Sequence, residues 1–344
     1  LLYNEIHFFI SLLLGLFFVL SMLLLYLIIQ KAIANNRRCK IDVYKELTRE
    51  QMYRYISSNE DSQNFVPTSQ VKFKALEELL AGYTKLLEGE TATERIRTFA
   101  TTYFKDSYKR SLFHRRWSIR MNTLYMIDDF HMENLFPEVL RLYESKRLTS
   151  SEETQILKIM AGYGYEGLEE HIRNPKYPLS EFMVRSIYNR MPLEKFNDLL
   201  ERYDDLDVEL QLPLIDLIAV KNLYSYKQHL IALLSSEKFE VRIRSLKAIA
   251  ELGLFIPTDT LVKHLFATQW QERMMAAKVC GGGNDLSCID ILKELMSDSH
   301  FLVRSQAAQS IGRLPKGKDI LRQLSENSPD SYTKDIATEW LERG

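Results

Sequence analysis

The stretch LLSSEKFEVRIRSLKAIAELG, residues 233–253, contains Arg242 followed by a run of small and aliphatic residues. Thirty-one residues later Arg273 stands in QWQERMMAAKVCGGG, and after the same interval Arg304 stands in DSHFLVRSQAAQSIGRL. In register, Val241 and Val303 precede the arginine, with Glu272 between them. Ser245, Ala276 and Ala307 are all small, and Ile249, Cys280 and Ile311 are all apolar. Upstream, Leu230, Leu261 and Leu292 coincide, as do Leu234, Leu265 and Met296. Apolar positions three and four apart predict two short amphipathic helices per unit, with the turn just before the arginine. A lone pair cannot cover its own apolar face, so repetition at this period predicts a stack of such pairs.

The register extends backwards with weaker matches. DVELQLPLIDLIAVKN, LSEFMVRSIYNRMP, SEETQILKIMAGYG and RRWSIRMNTLYMIDDF place apolar residues in the same frame, and SYTKDIATEWLERG closes the chain as a degenerate copy. This gives seven units and a terminal cap. The expected fold is all-α: a single N-terminal transmembrane helix followed by an α-solenoid of helix pairs. Its expected parts are an anchor over residues 1–30, a juxtamembrane helix and linker over 31–67, capping helices over 68–106 and the solenoid over 107–344. VKFKALEELLAGYTKLLEGE and the segment from Thr91 to Asp106 supply the capping helices, which would shield the first repeat.

From Phe8 to Ile29 no residue is charged. As a helix this run rises roughly 33 Å, enough to cross a hydrocarbon core of about 30 Å. It is too long for the apolar core of a secretory signal, has no basic region before it and no small-residue cleavage site after it. Glu5 and His7 precede the run, whereas Lys31, Arg37, Arg38 and Lys40 follow it. Positive flanks stay on the cytoplasmic side, so a single-pass cell-membrane protein with its N-terminus outside and its body in the cytoplasm is expected. The chain starts without methionine, and a residue or two is expected before Leu1.

Chemistry is thinly signalled. The 344 residues carry 45 basic and 46 acidic side chains, a balance that argues against nucleic acid as the main partner. GGGN at Gly281–Asn284 follows a helix pattern and lacks phosphate-loop spacing; glycine at a helix end, with positive φ, is the simpler expectation. The histidines form no HExxH, and Glu169, Glu170 and His171 are contiguous, which points them to different sides of a helix. Cys39, Cys280 and Cys288 are too few and scattered for a disulfide framework and lack zinc spacing. No catalytic residue, metal ligand or cofactor is therefore expected.

Charge is unevenly distributed. KDSYKRSLFHRRWSIR, residues 105–120, holds six basic residues against one acidic, and EKFNDLLERYDDLDVE, residues 194–209, holds seven acidic against two basic. Lys109, Arg110, Arg115, Arg116, Trp117 and Arg120 are candidate contacts to a partner or to anionic lipid headgroups, with Tyr108 and Phe113 as further aromatic candidates.

The recurring Val-Arg and Glu-Arg pairs with their Ala-rich helices resemble HEAT repeats, particularly the short bacterial type called PBS-lyase HEAT-like, over roughly residues 90 to 344. The resemblance implies that Arg242, Arg273 and Arg304 form a structural ladder. Each would pair with an acid of the preceding turn or of a neighbouring repeat. With its anchor, the architecture is similar to Bacillus-type membrane HEAT proteins associated with glycosyltransferases of exopolysaccharide systems. That implies a non-catalytic, membrane-tethered scaffold whose partner is another protein, itself in the membrane. The competing expectation is a ligand-binding or enzymatic module that uses the arginine row or basic segment to hold a phosphate-containing ligand.

Overall fold

The computed structural model describes residues 2–58, 65–87, 89–282 and 286–343, with the side chains of residues 2–9, 58 and 343 excepted. Among the described residues there are nineteen α-helices and no strand. The chain divides into two compact units, Leu1–Ile156 and Leu157–Gly344.

In the first unit, α1 runs without a break over Leu2–Ser58. The apolar run and the expected juxtamembrane helix are thus one helix of 57 residues, about 85 Å long at roughly 1.5 Å per residue. Its first half has no protein around it, and Leu12 to Ile29 stay largely exposed. This half is long and apolar enough to cross a membrane. Its second half is amphipathic: Ile41, Thr48, Met52, Tyr55 and Ile56 are buried, at helical spacing, against α2 (Gln70–Tyr83) and α3 (Glu90–Tyr103). Arg38 and Lys45 both reach Glu78 of α2, at 2.8 and 2.9 Å. Arg95 donates to the Ile56 carbonyl at 2.9 Å, satisfying an acceptor that a helix end otherwise leaves unpaired.

Phe73, Phe99, Phe104, Tyr108 and Phe130 then form a continuous aromatic cluster. It joins α2 and α3 to the first helix pair, α4 (Lys105–Ser111) with α5 (Trp117–Asp129). Tyr108 belongs to this core rather than to a surface; its hydroxyl donates to Glu77 at 2.7 Å, and burial pushes the phenol well above its usual range. The pair α6 (Phe136–Tyr143) with α7 (Ser150–Gly162) follows, and the first unit ends within α7, at Ile156.

The second unit continues the pattern in α8 (Leu168–Arg173) with α9 (Glu181–Tyr188) and α10 (Leu193–Glu201) with α11 (Val208–Val220). Then come α12 (Lys227–Leu233) with α13 (Phe239–Glu251), and α14 (Thr258–Leu265) with α15 (Trp270–Cys280). The last pairs are α16 (Ile289–Leu295) with α17 (Phe301–Arg313) and α18 (Gly317–Asn327) with α19 (Ser331–Arg343). Every window aligned in the sequence is the second helix of a pair. The second helices α9, α11, α13, α15, α17 and α19 lie side by side in that order.

Small side chains set how closely these helices approach. Ser245, Ala276 and Ala307 are completely buried. Ser310 of α17 donates to the Ala277 carbonyl of α15 at 2.7 Å. Gly281 caps α15 with φ −77°, not the left-handed conformation expected of it. The requirement there is space, since a Cβ on Gly281 would lie 2.7 Å from the Cα of Ser310. Gly283 and Asn284 lie outside the described residues.

Candidate functional site: the arginine edge

Each repeat arginine sits one turn into its second helix, and the same three-part grip recurs. Arg242 Nη1 donates to the Ser236 and Glu237 carbonyls at 2.9 and 3.0 Å, while Nε and Nη2 fork onto Glu272 at 2.8 and 2.7 Å. Arg273 likewise holds the Ala267 and Thr268 carbonyls and forks onto Asp298 at 2.7 and 2.8 Å. The guanidinium thus closes the turn of its own repeat and ties it to the next one, using the planar donor set that lysine lacks.

Arg304 holds the carbonyls of Asp298 and Ser299 but has no ion pair among the described residues. Its guanidinium lies 4.5 Å from the ring centroid of Tyr332, so the ladder ends on an aromatic face instead of the expected acid. The second ring beside it is Phe301, at 5.8 Å.

Arg120 is a fourth member of the ladder. It donates to the His114 and Arg115 carbonyls and forks onto Glu152 at 2.7 and 3.2 Å. Only 6% exposed, it is not available to a partner or to lipid, contrary to its place among the surface candidates. Lys109 is exposed but pairs with Glu138 at 3.0 Å. Arg110, Arg115 and Arg116 are exposed, with no ion pair among the described residues, and Trp117 and Phe113 are about half exposed. The basic cluster therefore shrinks to three arginines and two aromatic rings. The phosphate-binding reading of the ladder loses two of its three forks, because those of Arg242 and Arg273 are already occupied by carboxylates and only that of Arg304, over Tyr332, is not.

One recurrence went unread in the sequence. Three residues before each ladder arginine stands an aromatic one: Trp117, Phe239, Trp270 and Phe301, with Tyr332 at the next 31-residue step. Phe182 precedes Arg185 in the same way, although Arg185 reaches Asp216, at 3.4 Å, without the turn carbonyls. While the arginines turn inward, Phe239, Phe301 and Tyr332 are 39%, 52% and 58% exposed. Trp270 stacks on His300 at 3.9 Å. A cleft of about 460 Å³ lies beside Phe239, lined also by Lys263 and Gln269. The signal was available: aromatic-x-x-Arg repeats as strictly as the arginine itself.

Burial alone would raise the Glu272 carboxyl, but hydrogen bonds from Arg242 and His264 outweigh it and hold the group below its usual range. Asp298 is lowered in the same way by Arg273 and the His300 amide, against its own burial. His264, whose Nδ1 is 2.6 Å from Glu272, is pushed down by burial, with Glu272 opposing. All three groups bind protons more weakly folded than unfolded, so stability falls with pH in two stages. The His264 part is lost as pH drops below about 6.5, and the carboxylate part below about 4. Urea midpoints at pH 7.5, 5.5 and 3.5 are expected to decrease in that order. His264→Leu, which copies Leu233 and Leu295 of the neighbouring repeats, is expected to flatten the first stage. A first stage of unchanged size in that variant would assign it to another group.

On α8, Glu169 pairs with Arg173 and Arg202, both at 3.0 Å. These ion pairs border a cavity of about 240 Å³ that Tyr165 and Tyr188 also line. Among the described residues no three His, Cys, Asp or Glu side chains come together in a way that would hold a metal ion.

No curated protein matches this sequence. Among solved structures, the chain is similar to an engineered protein at 16% identity, with 79% of each chain covered and a TM-score of 0.34. It is similar to human deoxyhypusine hydroxylase in complex with glycerol at 14% identity, with 87% of this chain and 98% of that one covered and a TM-score of 0.27. A second engineered protein aligns at 16% identity over 77% of this chain and 95% of that one, with a TM-score of 0.26. Residues 256–342, the span that forms α14 to α19, match the family model of HEAT repeats.

Proposed function

We propose that the chain is a non-catalytic scaffold, held on a membrane by the apolar half of α1, that binds another protein along the aromatic edge of its second unit. One observation carries this reading: Phe239, Phe301 and Tyr332 occupy one repeat position and are exposed, whereas the arginines beside Phe239 and Phe301 are consumed internally. Trp270 and Tyr332 also serve the stacking of helix pairs, through His300 and Arg304, whereas Phe239 and Phe301 leave much of their surface to solvent. Aromatic side chains beside clefts are the residues that dominate protein interfaces. The mixed charges of the flanking turns favour a protein over a polyanion. Attachment to a bilayer raises the effective concentration of a partner in the same membrane, and the glycosyltransferase implied by the resemblance is the first class to look for. Arg110, Arg115 and Arg116 are the part of the first unit open to anionic headgroups.

Affinity isolation of the full chain from detergent-solubilised membranes tests the reading. The wild-type chain is expected to bring down a defined protein, and Phe239→Ser/Phe301→Ser at least about tenfold less, a difference of ~1.4 kcal/mol. Both changes are at exposed positions, so the melting temperature should stay the same. Recovery of the chain alone, or equal recovery by the variant, would overturn the assignment.

A further inference from the structure

Cys280 and Cys288 fall far from the arginine edge in the logic of the repeat. Cys280 ends α15, and Cys288 ends the 3₁₀ turn that leads into α16. Both are buried, at 6% and 4% exposure, and Cys280 Sγ–H donates to Cys288 Sγ at only 2.6 Å. The repeat supplies no reason for this pairing. Cys280 stands where Ile249 and Ile311 stand in the adjacent units, so an aliphatic side chain serves the core at that position. The Thr258 hydroxyl lies 3.3 Å from the Cys288 sulfur, leaving the pair polar on one side. On the other side Phe255, Ile256, Leu261 and Val279 wall a cavity of about 20 Å³, room for about one water-sized molecule.

We propose that Cys280 and Cys288 form a reversible oxidative modification site, a dithiol that a peroxide converts to an intramolecular disulfide across the connection between successive helix pairs. One thiolate attacks a peroxide oxygen and becomes a sulfenic acid, with release of water. The second sulfur attacks the first, the S–S bond forms, and a second water leaves. Two thiols and one hydrogen peroxide thus give one disulfide and two waters, and an external dithiol reverses the step by exchange. Proximity makes the second step intramolecular, so the sulfenic acid is captured before it is oxidised further. The product ties the end of α15 to the start of α16. It fixes the link between the α14–α15 and α16–α17 pairs at the edge opposite the arginines. Entry of peroxide to a buried pair needs a local opening around it, so the reaction is slower than at the exposed Cys39.

The test uses the full chain carrying Cys39→Ser, in detergent, with hydrogen peroxide as the probe. Lys278 and Lys293 bracket both cysteines, so residues 279–293 are released as one tryptic peptide. Without reductant that peptide is expected to lose about 2 Da, the two hydrogens of the thiols, and to regain them after dithiothreitol. Cys280→Ala and Cys288→Ala are each expected to abolish the loss and to leave the remaining sulfur oxidised singly. Two intact, alkylatable thiols after a dose that consumes the Cys39 thiol of the wild-type chain would overturn the proposal. So would sulfinic products on the 279–293 peptide in place of the disulfide. Because the readout is the mass of the unaltered pair, it does not depend on whether either alanine variant folds as well.

Discussion

Ala276→Asp is expected to lower the stability of the second unit by about 3–5 kcal/mol, because it buries a carboxylate with no partner. Ala276 is completely inaccessible, and it sits on α15, which packs between α13 and α17, at the repeat position where Ser245 and Ala307 are equally buried. The site has no room for a rotamer that reaches water, and the Arg273 fork one turn away is already filled by Asp298. A loss of that size should lower the melting temperature by about ten degrees or more. Leu302→Asp, a similar change at an exposed position on α17, should cost less than about 1 kcal/mol. Comparable melting of the two variants would mean that the small residues do not mark the helix contact.

Arg242→Ala is the second large effect. Removing the guanidinium leaves Glu272, itself 2% exposed, with His264 as its remaining partner, and breaking such a pair costs about 3 kcal/mol or more. The repeat suggests the rescue. Glu272 stands where Val241 and Val303 stand, so Arg242→Ala/Glu272→Val replaces a stranded charge with the side chain that the flanking units use. The double variant is expected to be more stable than Arg242→Ala, by urea midpoint, although about 1 kcal/mol should stay lost because the Ser236 and Glu237 carbonyls no longer have their donor. A double variant no better than the single one would mean that the carboxylate was not the liability and that turn closure is the main work of Arg242.

The helix pairs were legible because their cause is periodic: apolar positions repeat at a fixed step, and burial follows them. Partner identity was less legible, since it depends on which acid the next repeat happens to offer. Arg242 finds Glu272 thirty residues on and Arg273 finds Asp298 twenty-five on, while Arg304, with Pro329 at the position matching Asp298, turns to Tyr332. Arg120 was misread because its neighbours in sequence are basic and exposed. The aliphatic Ile119 before it and Trp117 three residues ahead already placed it in the ladder. The continuity of α1 was readable too: from Leu16 to Val66 there is neither glycine nor proline, and the change from apolar to charged at Lys31 alters the side chains, not the backbone. Cys280 and Cys288 could not be brought together from sequence, because a separation of eight residues across the end of a helix carries no periodic signal that fixes a distance.

The unbroken α1 has a mechanical consequence. A rod that is bare at one end and clamped at the other, by Arg38 and Lys45 on Glu78 and by Arg95 on Ile56, contains no swivel. With its bare end embedded in lipid as proposed, any roll or lean of that end turns the clamped domain through the same angle. Bilayer thickness would then steer which side of the first unit faces the headgroups.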